Sequence, residues 1–302
     1  MTKIPPYLKK GDTVGIVCPA GYMPRDKAET CVQVLQDWGY RVRIGATLGG
    51  HSLNYFSGTD EERLTDLQQM LDDESVNAIL CGRGGYGVGR IIEQIDFTRF
   101  RKKPKWIIGF SDITVLLNHI YSNFNIACLH APMASAFNRE EYKNPFVQSL
   151  HAALMGKTSH YKADPQFFNR VGKASGVLVG GNLSLMAHIT GTSSDVQTRG
   201  KILFLEDVGE NMYNIDRMMY QLKRTGKLEK LAGLIYGGFT DMKDTDRPFG
   251  ESIHALLSDI VKEYTFPVCF DFPVSHGREN YALKLGLLYE FNVSRKSVSL
   301  KG

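Results

Sequence analysis

The residues Trp106-Ile107-Ile108-Gly109-Phe110-Ser111-Asp112-Ile113-Thr114 run from an apolar strand straight into a helical stretch, leaving only a tight turn at Ser111. A serine so placed is pushed out of the sheet edge with its hydroxyl exposed. The amide of the next residue, Asp112, points toward the same space, which is the mechanics of a nucleophile elbow. The helix N-terminus adds partial positive charge that favours a developing oxyanion. Ile113 stands where Gly-x-Ser-x-Gly has its last glycine, so the motif is incomplete. The competing reading is that Ser111 or Asp112 simply caps the helix.

Gly82-Arg83-Gly84-Gly85-Tyr86-Gly87 follows another apolar strand and opens another helix. Glycines cost conformational entropy, so such a run needs a reason. One use is bare backbone N–H groups brought close to a ligand, as a second oxyanion donor and a substrate floor. The other is dinucleotide binding, since Gly82, Gly84 and Gly87 fit Gly-x-Gly-x-x-Gly. That fingerprint follows the first strand of its unit and has an acid at the end of the next strand. Here the next strand runs out at Phe110 and Ser111 instead.

Two further strand ends carry titratable groups. Ile202-Leu203-Phe204-Leu205 ends in Glu206-Asp207, with Glu210 close behind. Val274-Ser275-His276-Gly277 follows a Pro-bounded strand, and Gly277 reads as slack for the imidazole. Of the other histidines only His130 also ends an apolar strand; Ala131-Pro132-Met133 after it reads as a pocket wall. Taken singly, a loop histidine is a solvated side chain. Taken together, a serine, a carboxylate and a histidine at strand ends are what acyl transfer requires: the imidazole takes the hydroxyl proton and returns it to the leaving amine. No His-Glu-x-x-His or comparable spacing suggests a metal, and no cofactor is expected.

These residues need a framework. The chain has 302 residues with 43% hydrophobic and 23% charged side chains, the profile of a globular protein of about two domains. Its first half alternates apolar strands with helical segments, which predicts an α/β domain over residues 1–160 built on a parallel sheet. Ligands of such sheets bind at the carboxyl ends of the strands. There lie Cys18-Pro19-Ala20-Gly21, Gly82–Gly87 and Gly109–Asp112. A polar stretch from about Gly156 to Gly172 reads as a linker. Residues 173–302 predict a mixed α+β domain with a small barrel-like sheet. The cluster Arg101-Lys102-Lys103-Pro104-Lys105 reads as a solvated loop. The net charge of +4 is dispersed, so no nucleic-acid partner is expected. The odd, scattered cysteines suit a reducing compartment. Neither a signal peptide nor a membrane span is apparent, so a cytoplasmic location is expected.

Gly109-Phe110-Ser111-Asp112-Ile113-Thr114, Arg83-Gly84-Gly85-Tyr86-Gly87, Leu205-Glu206-Asp207-Val208-Gly209-Glu210 and Ser275-His276-Gly277 resemble, in order, the motifs of the LD-carboxypeptidase family of serine peptidases. Leu8-Lys9-Lys10-Gly11-Asp12, His130-Ala131-Pro132-Met133 and Gly180-Gly181-Asn182-Leu183-Ser184-Leu185 extend the resemblance over nearly the whole chain. It implies a flavodoxin- or amidotransferase-like N-terminal domain bearing the nucleophile Ser111. It implies a C-terminal domain bearing Glu206 and His276 as the rest of the triad. The amides of Asp112 and Gly85 would form the oxyanion hole, and Arg83, Gly84, Tyr86, Met133 and Asn182 would line the substrate site. Whether Asp207 or Glu210 assists Glu206 stays open.

The resemblance further implies release of the terminal D-alanine from murein tetrapeptides at an L,D bond, in cell-wall recycling, by a homodimer. The alternatives are hydrolysis of microcin C-type aminoacyl-nucleotide antibiotics and, from another class, a nucleotide-binding oxidoreductase using Gly82–Gly87.

Overall fold

The structure, a computed structural model, describes every residue except Leu53 and Arg139. The chain divides into two compact units: Met1–Lys157 with Tyr281–Lys284, and Thr158–Asn280 with Leu285–Gly302.

The first unit runs β1 (Thr13–Val17), α1 (Glu29–Asp37), β2 (Arg41–Ile44), α2 (Asp60–Asp72), β3 (Ala78–Cys81), α3 (Val88–Ile91), α4 (Thr98–Lys102), β4 (Trp106–Gly109), α5 (Thr114–Phe124), β5 (Cys128–His130) and α6 (Pro145–Leu154). β2-β1-β3-β4-β5 lie side by side and parallel. This is the flavodoxin-like order, whose ligand crevice lies at the carboxyl ends of β1 and β3. β3 and β4 are buried along their whole length, as their unbroken apolar runs require of central strands. α2 starts at a reciprocal cap: Glu62 N donates to Thr59 Oγ1 (3.2 Å) and Thr59 N to Glu62 Oε2 (2.7 Å).

The structure departs from the apolar pattern of the sequence at three places. Leu67 and Leu71 of α2 are buried as their spacing predicts, but so are Arg63 and Asp66, while Leu64 is only half-buried. Asp66 takes its place because its carboxylate accepts from the amides of Ala46 (3.1 Å) and Thr47 (2.8 Å). Lys105, read as part of a solvated loop, is buried. Its ammonium donates to the Met70 (3.0 Å) and Asp73 (2.6 Å) carbonyls at the end of α2, and burial pushes its pKa down to about 8. The helix that the glycine loop opens is short, α3 giving way to a 3₁₀ turn at Ile92–Gln94.

The second unit comprises β6 (His160–Ala163), β7 (Gly172–Asn182), α7 (Leu183–Ile189), β8 (Ile202–Val208), α8 (Met212–Arg224), β9 (Gly233–Thr240), α9 (Ile253–Ile260), β10 (Val268–Cys269), β12 (Leu288–Val293) and β13 (Val298–Lys301). The intervening β11 (Leu283–Leu285) pairs at the β5 edge of the first sheet. The second sheet has the order β10-β9-β8-β7-β12-β13-β6. It is parallel from β7 to β10 and antiparallel from β7 to β6. Among the described residues this pairing order does not itself close the expected small barrel, although an Arg170–Val268 bridge brings the residues ahead of β7 to the β10 edge.

The polar stretch read as a linker contains β6, whose residues pair with β13. Tyr281–Lys284, assigned from sequence to the second domain, belongs to the first unit. Among the described residues, no helix is long and apolar enough to cross a membrane.

Candidate active site

β4 delivers Ser111 to the carboxyl edge of the first sheet. Phe110 is extended, and the chain then turns abruptly, with Ser111 at φ 62°. An L-residue pays roughly 1–3 kcal/mol for a left-handed conformation, which persists only where its surroundings enforce it. A 3₁₀ turn at Ser111–Ile113 leads into α5. Neither the Ser111 nor the Asp112 side chain caps this turn or α5. Ser111 is half-buried, and the Asp112 carboxylate accepts from Val88 N (2.8 Å). The geometry is that of an elbow rather than a cap.

The glycine loop lies directly against it. A Cβ on Gly84 would stand 2.7 Å from Ser111 Cβ and 2.9 Å from its Oγ, so only bare backbone fits beside the hydroxyl. Gly85 has φ 108°. The turn after β1 supports the loop, with Gly21 N donating to Gly84 O (3.1 Å). Arg83 and Tyr86 are exposed; the Arg83 guanidinium donates to Tyr22 O (3.0 Å), and the Tyr86 ring lies 5.9 Å from Phe56. Met133 is buried just after β5. The loop follows β3, not β1, and its Gly84 packs against the serine, so the arrangement suits acyl transfer better than pyrophosphate binding.

The second unit builds a histidine–carboxylate pair. Glu206 lies within β8 between β7 and β9 and is fully buried. The β8–β9 register slips opposite it, where β9 carries Gly237-Gly238. A Cβ on Gly237 would fall 2.2 Å from Val274 O and 3.1 Å from Glu206 Cβ; one on Gly238 would fall 2.6 Å from Ser275 Cβ. The two glycines therefore make room for the loop that carries His276. That loop is tied rather than slack: Ser275 Oγ donates to Glu279 O (2.9 Å) and accepts from Gly277 N (3.0 Å).

His276 Nδ1 lies 2.6 Å from Glu206 Oε2. A carboxylate at Nδ1 places a proton there and presents Nε2 as the basic nitrogen. Burial works against the imidazolium, but the Glu206 hydrogen bond and the charges of Glu206 and Asp207 together outweigh it, so the His276 pKa is raised. Asp207 and Glu210 are engaged elsewhere. Asp207 accepts from Asn182 Nδ2 (2.9 Å) and Ser184 N (3.0 Å), and Glu210 from Asn214 Nδ2 (2.9 Å). Burial pushes Asp207 up to about 6. Asn182 caps α7, its Oδ1 accepting from Leu185 N (3.2 Å).

Sequence reasoning missed Arg63 and Gly237-Gly238. A glycine pair inside a strand marks a bulge or a close backbone approach, and that signal was present.

The N-terminal domain of LD-carboxypeptidases matches residues 14–131 and the C-terminal domain residues 175–291. A probable murein peptide carboxypeptidase of Bacillus subtilis (strain 168) is 36% identical over 300 residues, 98% of this chain and 94% of that one. The crystal structure of muramoyltetrapeptide carboxypeptidase from Oxalobacter formigenes superposes with a TM-score of 0.87 at 27% identity, covering 96% of this chain and 98% of that chain. The microcin C7 self-immunity protein MccF, in complex with aspartyl sulfamoyl adenosine, shares the fold with a TM-score of 0.86 at 22% identity over 100% of this chain and 98% of its own. Matched in both domains and nearly end to end at such identity, the chain belongs to the LD-carboxypeptidase family.

Proposed function

We propose that this protein is a serine carboxypeptidase that releases the terminal D-alanine of murein tetrapeptides by cleaving an L,D peptide bond. Ser111 Oγ attacks the scissile carbonyl. His276 Nε2 takes the hydroxyl proton and delivers it to the leaving amine, while Glu206 holds the imidazole in that tautomer and stabilises its charged form. The amides of Asp112 and Gly85 receive the oxyanion. Water then hydrolyses the acyl-enzyme by the reverse proton route. The Arg83 guanidinium supplies positive charge for a substrate carboxylate, with Gly84, Tyr86, Met133 and Asn182 shaping the rest of the site.

The observation that carries this reading is the strained serine at φ 62° against a side-chain-free loop. Its supports are the Glu206–His276 pair and the murein-peptide carboxypeptidases among the relatives. We place the enzyme in the cytoplasm as a homodimer; fractionation and light scattering test those two points.

The test is D-alanine release from purified tetrapeptide. Ser111→Ala should lower turnover about a million-fold, by analogy with other triads. Retention of most activity would remove Ser111 from the role. An aminoacyl-nucleotide antibiotic assayed beside the tetrapeptide separates the murein reading from the immunity-protein reading.

A further inference from the structure

The Gly87–Val88 peptide is gripped from both sides by buried charges. Its carbonyl accepts from Arg63 Nη1 (3.0 Å), and its N–H donates to Asp112 Oδ2 (2.8 Å). Arg63 is fully buried and Asp112 nearly so, at 0% and 1% exposure. The same guanidinium nitrogen donates to Pro19 O (2.6 Å), in the turn after β1, and the other terminal nitrogen bonds Asp60. Asp60 in turn accepts from Arg90 Nε (2.9 Å). Two side chains thus tie together the turns that follow β1, β3 and β4. A Cβ on Gly87, at φ 144°, would come 2.6 Å from Arg63 Nη1, so the peptide meets the guanidinium at closest approach.

A plain structural role explains this poorly. Buried charges contribute little net stability unless very well matched. Burial pushes the Asp112 carboxyl up to about 6 against the opposing pull of the Val88 and Gly87 amides and of Arg63. A folded-state pKa above the unfolded one means that ionisation near neutral pH weakens the fold. Groups retained at such a cost are expected where geometry serves function.

We propose that Asp112 and Arg63 are positioning residues for the acyl-transfer step: they clamp the Gly87–Val88 peptide and so hold the glycine loop, with its oxyanion donor, in register with Ser111. Asp112 then acts twice, its amide toward the oxyanion and its carboxylate toward the loop that supplies the second donor. The proposal rests on Ser111 being the nucleophile.

Full-length Asp112→Ala and Asp112→Asn are compared with wild type in three measurements. These are D-alanine release, the rate of Ser111 phosphonylation by a fluorophosphonate, and hydrogen exchange by peptide. Asp112→Ala should lower kcat about 100-fold with KM within threefold, the size of effect seen when an oxyanion donor is lost. Asp112→Asn, which keeps the acceptor but not the charge, should recover about tenfold of that loss. Phosphonylation should fall in parallel, exchange should quicken over residues 82–88 and not in β3 or β4, and the Tm of Asp112→Asn should not drop.

A wild type that is phosphonylated at Ser111 but releases no D-alanine would refute the murein substrate alone, and the phosphonylation rates would still decide the clamp. Phosphonylation and kcat within twofold of wild type would overturn the clamp. So would a loss confined to KM, or one accompanied by a falling Tm and faster exchange across the whole sheet.

Discussion

His276 is the residue at which electrostatics sets a measurable pH dependence. As the proposed base it must be neutral, and its pKa is raised because Glu206 and Asp207 outweigh burial. Activity is therefore lost as pH falls through a value above the ordinary 6.5 of histidine. The stability contribution of the pair runs the other way: it is complete below the unfolded-state pKa and lost as pH rises through the folded one. Glu206→Gln keeps the shape and removes the charge that favours imidazolium, while burial remains. The acid limb of kcat/KM should move to lower pH, and kcat should fall about 10⁴-fold, the cost of the wrong tautomer in an equivalent triad. A pH–rate profile of wild type and variant measures both; a limb that stays in place would mean that Glu206 does not control this imidazole.

At the scale of elements, apolar periodicity made the parallel sheet of the first unit readable, and with it the strand ends where Ser111 and the glycine loop stand. Periodicity says nothing about which polar residue a neighbouring turn will pull inward. It gives no sign that Arg63 and Asp66 of α2 are buried, because their partners lie in turns distant along the chain. The bulge at Gly237-Gly238 was similarly hidden, because its purpose is set by a loop that arrives later, at Val274–His276. This gives the bulge a testable function. Gly237→Ala would put a methyl 2.2 Å from the Val274 carbonyl, a contact that only backbone movement can relieve. Overpacking of this kind costs about 1–3 kcal/mol. Because the displaced loop carries His276, turnover should fall further than that loss of stability alone would produce. Tm and kcat measured together check this, and a variant that is destabilised yet fully active below its Tm would separate the bulge from the histidine.

On the scale of the molecule, the two-unit division was legible from the change of pattern near residue 160, but the return of Tyr281–Lys284 to the first unit was not. Ala282 and Leu283 look like any closing strand of the second half, and nothing local distinguishes a strand that joins one sheet from a strand that joins another. Long-range partners decide it. β11 lies beside β5, Ala282 N donates to Ser149 Oγ in α6 (2.9 Å), and the buried Lys284 donates to Lys157 O (2.7 Å) beneath the Tyr7 ring. A fragment ending at residue 157 therefore lacks a strand of its own sheet and exposes the β5 edge, a template for aggregation. The buried surface of Ala282 and Leu283 alone is worth roughly 3 kcal/mol, a large share of the 5–15 kcal/mol typical of a domain. Fragment 1–157 should elute as aggregates and bind a hydrophobic dye. The same fragment with residues 281–285 joined through a flexible linker should be monomeric and melt cooperatively. Equal melting of the two fragments would show that the returning strand is an ornament of the first sheet and not part of its fold.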